Sequence, residues 1–434
     1  MSDKPHEGSN VEEQEKKVKE TSQTTTETKL QGEESAPADT KSSDFHVGTN
    51  DFYNNSNKEI DYKKLIQQFG CEEMTPALTE RFEKLIGQPL HPLIRRGIFV
   101  SHRDFAIFLD KYEKKEPIYL YTGRGPSSES MHLGHLLPFI VTKWLQDVLK
   151  CPLVIQLTDD EKFFFQRGDV CLPLSHFSEL ADENAKDIIA CGFDLDRTFI
   201  FKNTAFIQYL YPNAAAIQKL VTYNQMKGIF GLTESDHVGK SSFPALEAAP
   251  CISTSFPFIF GDDPSKLAFC LVPHGIDQDP YFRMMRDVAS RLSCPKPSAI
   301  HSKFFPALQG FNYKMSSSDV CSAVFLTDTP DEIKNKINKY AFSGGKATVE
   351  EHRKYGADLE IDIPYNYLRF FCEDDKQLDD IAHKYKKGEM LTGEVKSILI
   401  DILQKIVKTH QAARANVTNE IVAQFMKIRP LKLL

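Results

Sequence analysis

No stretch of this sequence supplies the roughly 18–20 consecutive apolar residues that a membrane-spanning helix needs, so no membrane partner is expected. Its N-terminus lacks the apolar core of a secretory signal and is too acidic for an organellar presequence. Nine cysteines are scattered along the chain without one C-x-x-C pair, which argues against a zinc ribbon or a disulfide framework and for a reducing compartment. A cytoplasmic location is expected. An excess of positive charge is also lacking: the formal net charge is −7. Residues 1–50 hold eleven acids, six lysines and no arginine, so most of that charge belongs to the first stretch. A local basic surface elsewhere can still hold phosphates.

What is present is an ordinary globular composition, 41% hydrophobic and 26% charged, with length enough for two or three domains. Residues 1–44 contain no aromatic residue and few large aliphatics. Such a segment buries too little apolar area to offset its ordering entropy, so residues 1–50 read as a disordered acidic tail. Residues 51–116 read as a mostly helical N-terminal extension. From residue 117 short apolar strands alternate with helical periodicity: Pro117 to Tyr121, Leu133 to Leu149, then Pro152 to Leu157. One βαβ unit implies parallel strands and a right-handed crossover. Further strands are expected at Thr198 to Phe201, Leu267 to Val272 and Ser298 to His301. After Asp328 only helical patterns remain, with Thr329 or Asp328 and Thr392 as candidate N-caps. The expected fold is α/β: a Rossmann-like doubly wound parallel sheet over 117–327 with a helical insertion, an α-helical domain over 328–415, and a C-terminal helix in 416–434.

Two short motifs carry the chemistry. Met131-His132-Leu133-Gly134-His135 opens a helix after a strand and turn. A helix N-terminus offers free N–H groups and a positive dipole to a polyphosphate. Gly134 removes a side chain where a nucleotide approaches the backbone. His132 and His135 share one helix face and can donate to phosphate oxygens. Taken alone, the pair equally suits a metal or a cap. Lys314-Met315-Ser316-Ser317-Ser318 lies in a polar loop after the last strand. A lysine followed by hydroxyls suits a loop that closes over phosphates and supplies charge as the transition state forms. Both motifs flank the same sheet edge.

These segments resemble the class I aminoacyl-tRNA synthetases: His132 to His135 is similar to that class's "HIGH" motif and Lys314 to Ser318 to its "KMSKS" motif. Within the class the sequence is most similar to tryptophanyl enzymes of the eukaryotic cytoplasm, over roughly residues 58–430. The similarity is dense in residues 119–128, 155–162, 275–283 and 305–310. It implies a ligase that activates L-tryptophan with ATP and passes it to tRNA(Trp), acting as a homodimer; DNA is not an expected partner. It assigns catalysis to His132, His135 and Lys314. It assigns ATP binding to Arg124, Gly134, Gly275, Asp277, Met315, Ser316, Ser317 and Ser318. Tryptophan falls to Tyr121, Gln156, Glu161, Lys162, Glu247 and Gln278. No metal ligand in the protein is implied; Mg²⁺ would ride on the ATP phosphates, with Asp159 and Asp160 steadying their loop. Indole needs aromatic walls and an acceptor for one N–H, which the resemblance gives to Tyr121 and Gln156.

The sequence departs from that family in three places. Glu247 stands where relatives usually carry glutamine. Asp51 to Asn55 lacks their Pro-Trp segment, and Gly344-Gly345-Lys346-Ala347 lacks an arginine-aspartate pair thought to read the anticodon. Competing readings are a tyrosine-specific synthetase, a nucleotidylyltransferase and a signalling protein built on a synthetase scaffold. The first would aim acids at a phenol hydroxyl, the second has no use for the helical domain, and the third would not retain His132, His135 and Lys314. Deleting residues 1–44 should leave adenylate formation, read by amino-acid-dependent pyrophosphate exchange, within a few-fold of the full chain. A loss on the order of a hundredfold, about 2.7 kcal/mol of barrier, would place the tail in the site.

Overall fold

The structure, a computed structural model, describes residues 60–166, 171–313, 315 and 319–433. The acidic tail, Asp51 to Asn55, Lys314, Ser316, Ser317 and Ser318 lie outside the described residues. Ahead of residue 117 come α1 (Tyr62–Phe69), β1 (Glu72–Glu73), α2 (Pro76–Ile86), α3 (Pro92–Arg95), β2 (Phe99–Arg103) and α4 (Phe105–Glu113). The alternating region follows as β3 (Ile118–Arg124), α5 (Leu133–Leu149), β4 (Leu153–Leu157), α6 (Asp159–Phe164), α7 (Leu174–Ile189) and β5 (Thr198–Lys202). A helical excursion then runs through α8 (Asn203–Leu220), α9 (Tyr223–Phe230), α10 (Val238–Ala248) and α11 (Pro257–Phe260). The chain returns with β6 (Phe269–Gly275), α12 (Asp279–Ala289) and β7 (Ser298–Ser302). Only helices remain: α13 (Pro330–Tyr340), α14 (Val349–Tyr355), α15 (Ile363–Phe371), α16 (Asp375–Lys386), α17 (Thr392–Ala415) and α18 (Asn419–Met426).

The sheet order is β1-β2-β7-β6-β3-β4-β5, with β7, β6, β3, β4 and β5 parallel and β1 and β2 antiparallel at one edge. Strands covered on both faces read as unbroken apolar runs, and Leu153–Leu157 is buried at every position. Period-two alternation divides them between two cores. Leu120, Leu153, Ile155, Ile200 and Leu271 join the core shared with α5 and the C-terminal helices. Tyr119, Tyr121, Val154, Phe199 and Val272 join the aromatic core under α8 to α12. The chain goes from β3 to β4 on one side and later fills β6 on the other. The switch point between β3 and β6 opens a crevice at their C-terminal ends.

Local chemistry accounts for the element ends. Thr329 caps α13 as expected: its hydroxyl accepts from Glu332 N–H at 3.3 Å, while the Glu332 carboxylate accepts from Thr329 N–H at 2.8 Å. The Thr392 expectation is off by one residue. Leu391 occupies the cap of α17, and the Thr392 hydroxyl instead meets the hydroxyls of Tyr385 and Ser343 at 2.9 and 3.2 Å. At the C-terminus helix covers only Asn419–Met426. Beyond it Arg429 donates to the carbonyls of Leu195 and Thr198 at 2.6 and 2.8 Å, and Lys432 N–H to Asp196 at 2.8 Å, fastening the chain beside the start of β5.

The strands β1 and β2, which periodicity did not reveal, join the segment before residue 117 to the sheet through β7. One buried ion pair reinforces this join. Arg103, the last residue of β2, binds both Asp279 oxygens at 2.6 and 2.7 Å and also donates to the carbonyls of Phe69 and Gly70 at the end of α1. Burial alone would raise the Asp279 carboxyl, but Arg103 and His301 hold it well below its usual range. Removing one partner of such a pair strands the other charge. Arg103→Met should therefore destabilise the fold by about 3–5 kcal/mol in urea unfolding, and an effect below ~1 kcal/mol would exclude the pair as the fastening of this edge.

Candidate active site

The crevice at the switch point is a cavity of about 360 Å³. Its walls come from the end of β3 (Thr122 to Arg124), the start of α5 (His132, Gly134, His135), α6 (Glu161, Lys162), α10 (Phe243, Glu247), β6 and the turn after it (His274, Gly275, Asp277, Gln278), α12 (Tyr281, Phe282) and the end of β7 (Ser302). Met315 of the second motif reaches the same cavity. Of the residues the sequence singled out, His132, Gly134, His135, Arg124, Glu161, Lys162, Glu247, Gly275, Asp277, Gln278 and Met315 therefore meet on one surface. Lys314, Ser316, Ser317 and Ser318 lie outside the described residues.

The first motif touches the segment beyond the second through backbone. Leu133 N–H donates to the Val324 carbonyl at 3.0 Å and Leu326 N–H to that of Met131 at 2.9 Å, a two-bond antiparallel ladder centred on His132 and Phe325. His132 sits at the N-cap of α5, its ring stacked on that of His135 at 3.5 Å between centroids. A side chain on Gly134 would press on the His132 ring and on the Met315 sulfur, at 3.2 and 3.3 Å. Burial, and then the Arg124 charge, lower His132 to about 3 and His135 well below its ordinary value. Both rings are thus neutral at physiological pH, each with one N–H to donate. His132 Nδ1 is buried without a hydrogen-bond partner among the described residues.

Arg124 leaves β3 pointing toward α7, where Asn184 accepts from its Nε at 3.2 Å and also donates to the Ser128 carbonyl at 2.7 Å. Burial brings its guanidinium down to about 10, so it stays charged. Glu161 accepts from Lys162 and from the Thr158 hydroxyl, both at 2.8 Å. Gly125 permits this, because any side chain there would collide with Glu161 and Lys162. Asp160 accepts from Asn203 at 2.7 Å and Asp159 from Thr204 N–H at 3.2 Å. Those hydrogen bonds join α6 to α8. Gln278 donates to Asp277 at 2.9 Å.

Tyr121 and Gln156, expected at the indole N–H, are not among the residues that line the cavity. Both are fully buried one layer behind it, on the aromatic face of β3 and β4. The Tyr121 hydroxyl lies against Gln156 Oε1 and the Glu247 carbonyl, the latter at 2.8 Å. Gln156 Nε2 donates to Asn203 at 2.7 Å and to the Leu246 carbonyl at 3.1 Å. The physical reason is period-two alternation: residues on this face meet α10, and Glu247 stands between them and the cavity. Phe243, His274, Tyr281 and Phe282 are wall residues that spacing did not identify. Tyr281 and Phe282 stand inside a stretch already notable for its resemblance, but nothing local distinguishes a wall aromatic from a core one.

A parallel sheet with this crevice, a histidine-glycine-histidine helix start and a second loop brought against it define the class I aminoacyl-tRNA synthetases. The family "tRNA synthetases class I (W and Y)" matches residues 113–408, and the chain belongs to it. Within that class it belongs with the cytoplasmic tryptophan–tRNA ligases. It is 56% identical over 379 residues to the Bos taurus cytoplasmic tryptophan–tRNA ligase, covering 87% of this chain and 78% of that protein. The Plasmodium falciparum tryptophanyl-tRNA synthetase structure superposes with TM-score 0.79 at 49% identity, covering 85% and 95% of the two chains. That of Encephalitozoon cuniculi, bound to tryptophan, gives 0.79 at 42% identity, covering 86% and 99%.

With His132 brought to about 3, its ring should keep its neutral NMR shifts from pH 8 down to pH 5. A His132 signal that titrates between pH 6 and 7 would mean a charged imidazolium faces the phosphates instead.

Proposed function

We propose that this crevice is where the chain, a tryptophan–tRNA ligase by family, activates L-tryptophan with ATP and then charges tRNA(Trp). The observation that carries the reading is that His132, Gly134 and His135 from one motif and Met315 from the other share one cavity wall. The substrate carboxylate attacks the α-phosphorus in line and pyrophosphate leaves. The terminal adenosine hydroxyl of the tRNA then attacks the carbonyl carbon, and AMP leaves. No covalent enzyme intermediate is required; the chain's work is positioning and electrostatic stabilisation.

In this reading His132 and His135 donate to phosphate oxygens as neutral rings, and Arg124 and Lys314 supply charge. Gly134 and the loop with Met315, Ser316, Ser317 and Ser318 close on the nucleotide, and Gly275 lets Asp277 approach the ribose hydroxyls. Glu161, Lys162, Glu247 and Gln278 hold the amino acid's charged end. Mg²⁺ arrives on the ATP and neutralises its phosphates; with Asp159 and Asp160 committed to α8, no protein carboxylate pair is needed for it.

The helices after residue 330 take the anticodon end of the tRNA. Support comes from the Gly344-Gly345 turn. Gly344 N–H donates to Asp362 at 2.9 Å, and any side chain on Gly344 would strike the Asp358 carbonyl. Lys346, next to this turn, is left to meet phosphate. A homodimer is carried over from the family resemblance. A cytoplasmic location accords with the names of the relatives.

Selectivity rests on Tyr121 and Gln156, which the family resemblance puts at the indole N–H; their polar atoms bond to each other, to Asn203 and to the carbonyls of Leu246 and Glu247, so the indole N–H reaches them only by displacing one of these bonds. An acceptor left unpaired in the phenylalanine complex costs roughly 1–3 kcal/mol. Gln156→Ala should raise KM for tryptophan and shrink the tryptophan-over-phenylalanine ratio of kcat/KM in pyrophosphate exchange, with KM for ATP nearly unaltered. Tyr121→Phe should do the same more mildly, since its ring survives. Wild-type discrimination in both variants, with unchanged melting temperature, would show that the indole is read elsewhere.

A further inference from the structure

Around the amino-acid end of the cavity the charges do not balance. Glu161 and Glu247 both stand on its wall, with Asp160 behind them, and the nearby cation, Lys162, is already bonded to Glu161 at 2.8 Å. Among the described residues no lysine or arginine is paired with Glu247. Its carboxyl lies beside Gly123, where an added Cβ would come to 3.8 Å of Oε1, and both residues line the crevice. Glu247 thus has no cation bonded to it among the described residues, and tryptophan brings one.

We propose that Glu247 gives up a proton when tryptophan binds, exchanging it for the substrate's ammonium group. The O–H bond of the carboxyl breaks, the electron pair stays on the carboxylate, and the proton passes to solvent while the ammonium takes its place. This rests on the reading of the cavity as the tryptophan site and assigns Glu247 to the ammonium rather than to the substrate carboxylate.

The electrostatics of the empty site agree. The ionisable groups acting on Glu247 from the packed elements are Asp160, Glu161 and Lys162 of α6, Tyr121 of β3, Tyr281 of α12 and Cys251 in the turn after α10. Burial, then the Glu161 and Asp160 charges, push the carboxyl up to about 8, and Lys162 and the Tyr121 hydroxyl only partly offset them. Below that pH the free protein holds a proton that the complex does not. Affinity should therefore rise with pH until the free carboxyl is itself ionised: about fivefold from pH 7 to pH 8, with about 0.9 proton released per tryptophan at pH 7 and about 0.5 at pH 8.

Calorimetry of the full-length protein with L-tryptophan, in buffers of different ionisation heat, counts this proton directly. The ionisation of free tryptophan is measured separately and subtracted. Tryptamine, which keeps the ammonium, should release the same proton, and indole-3-propionate, which keeps only the carboxylate, should release none. Glu247→Gln should bind tryptophan with no proton release and no pH slope between pH 6.5 and 8, with a melting temperature near that of the wild type. Should that variant fold poorly, the two analogues on the wild type decide the matter alone. A wild type that binds tryptophan without releasing a proton, release that survives in Glu247→Gln, or release driven by indole-3-propionate would each overturn the proposal while leaving the tryptophan site in place. Absence of tryptophan binding would instead overturn the site reading, and the proposal with it.

Discussion

Leu133 and Met131 on one strand of backbone, and Val324 and Leu326 on another, exchange the two hydrogen bonds on which the site's assembly depends. The first segment opens α5 and the second follows the loop that carries Met315. Because these are backbone bonds, the register is set without any demand on side chains. They leave the His132 and His135 rings facing the cavity. The C-terminal helices lean on the same junction: Gln411 of α17 donates to the Leu326 and Asp328 carbonyls at 3.0 and 3.1 Å. One turn on, Arg414 binds Asp187 of α7 at 2.8 Å, and His410 lies 3.1 Å from the same carboxylate. Asn184 of α7 in turn holds Arg124. A helix of 24 residues thus runs from the Gly344-Gly345 turn to the elements that carry His132 and Arg124 of the cavity wall.

The electrostatic character of the cavity follows from how its charges are buried. Neutral histidines at a helix start provide donors without the cost of desolvating two imidazolium ions. Arg124 keeps its charge because its pKa, even lowered, remains far above physiological pH. On the opposite wall the acids outnumber the lysine, which suits the ammonium of an amino acid. The cavity thus carries neutral rings and a guanidinium from His132, His135 and Arg124, and carboxyls from Glu161 and Glu247.

How much of this was legible beforehand depends on range. The buried strands, their parallel order and the helix starts were readable because apolar runs and caps such as Thr329 with Glu332 are local. The two motifs were readable because their residues are contiguous. The edge strands β1 and β2 were not, since a two-residue strand has no periodicity and β2 owes its place to pairing with β7. Neither was the Arg103–Asp279 pair, whose members are distant in sequence and individually ordinary. That Tyr121 and Gln156 bond to each other, at a depth behind Glu247 that depends on how α10 packs on the sheet, was not legible.

Sequence alone determined the α/β class and the position of the first motif at the head of a helix. Each of these depends on neighbours within one or two turns of chain. Only the tertiary structure decided that both motifs share a wall, that the histidines are uncharged and that Glu247 stands between the cavity and Tyr121. Those properties come from burial and from contacts between segments far apart in the chain, and solvent exclusion is a property of the packed whole rather than of any stretch of residues.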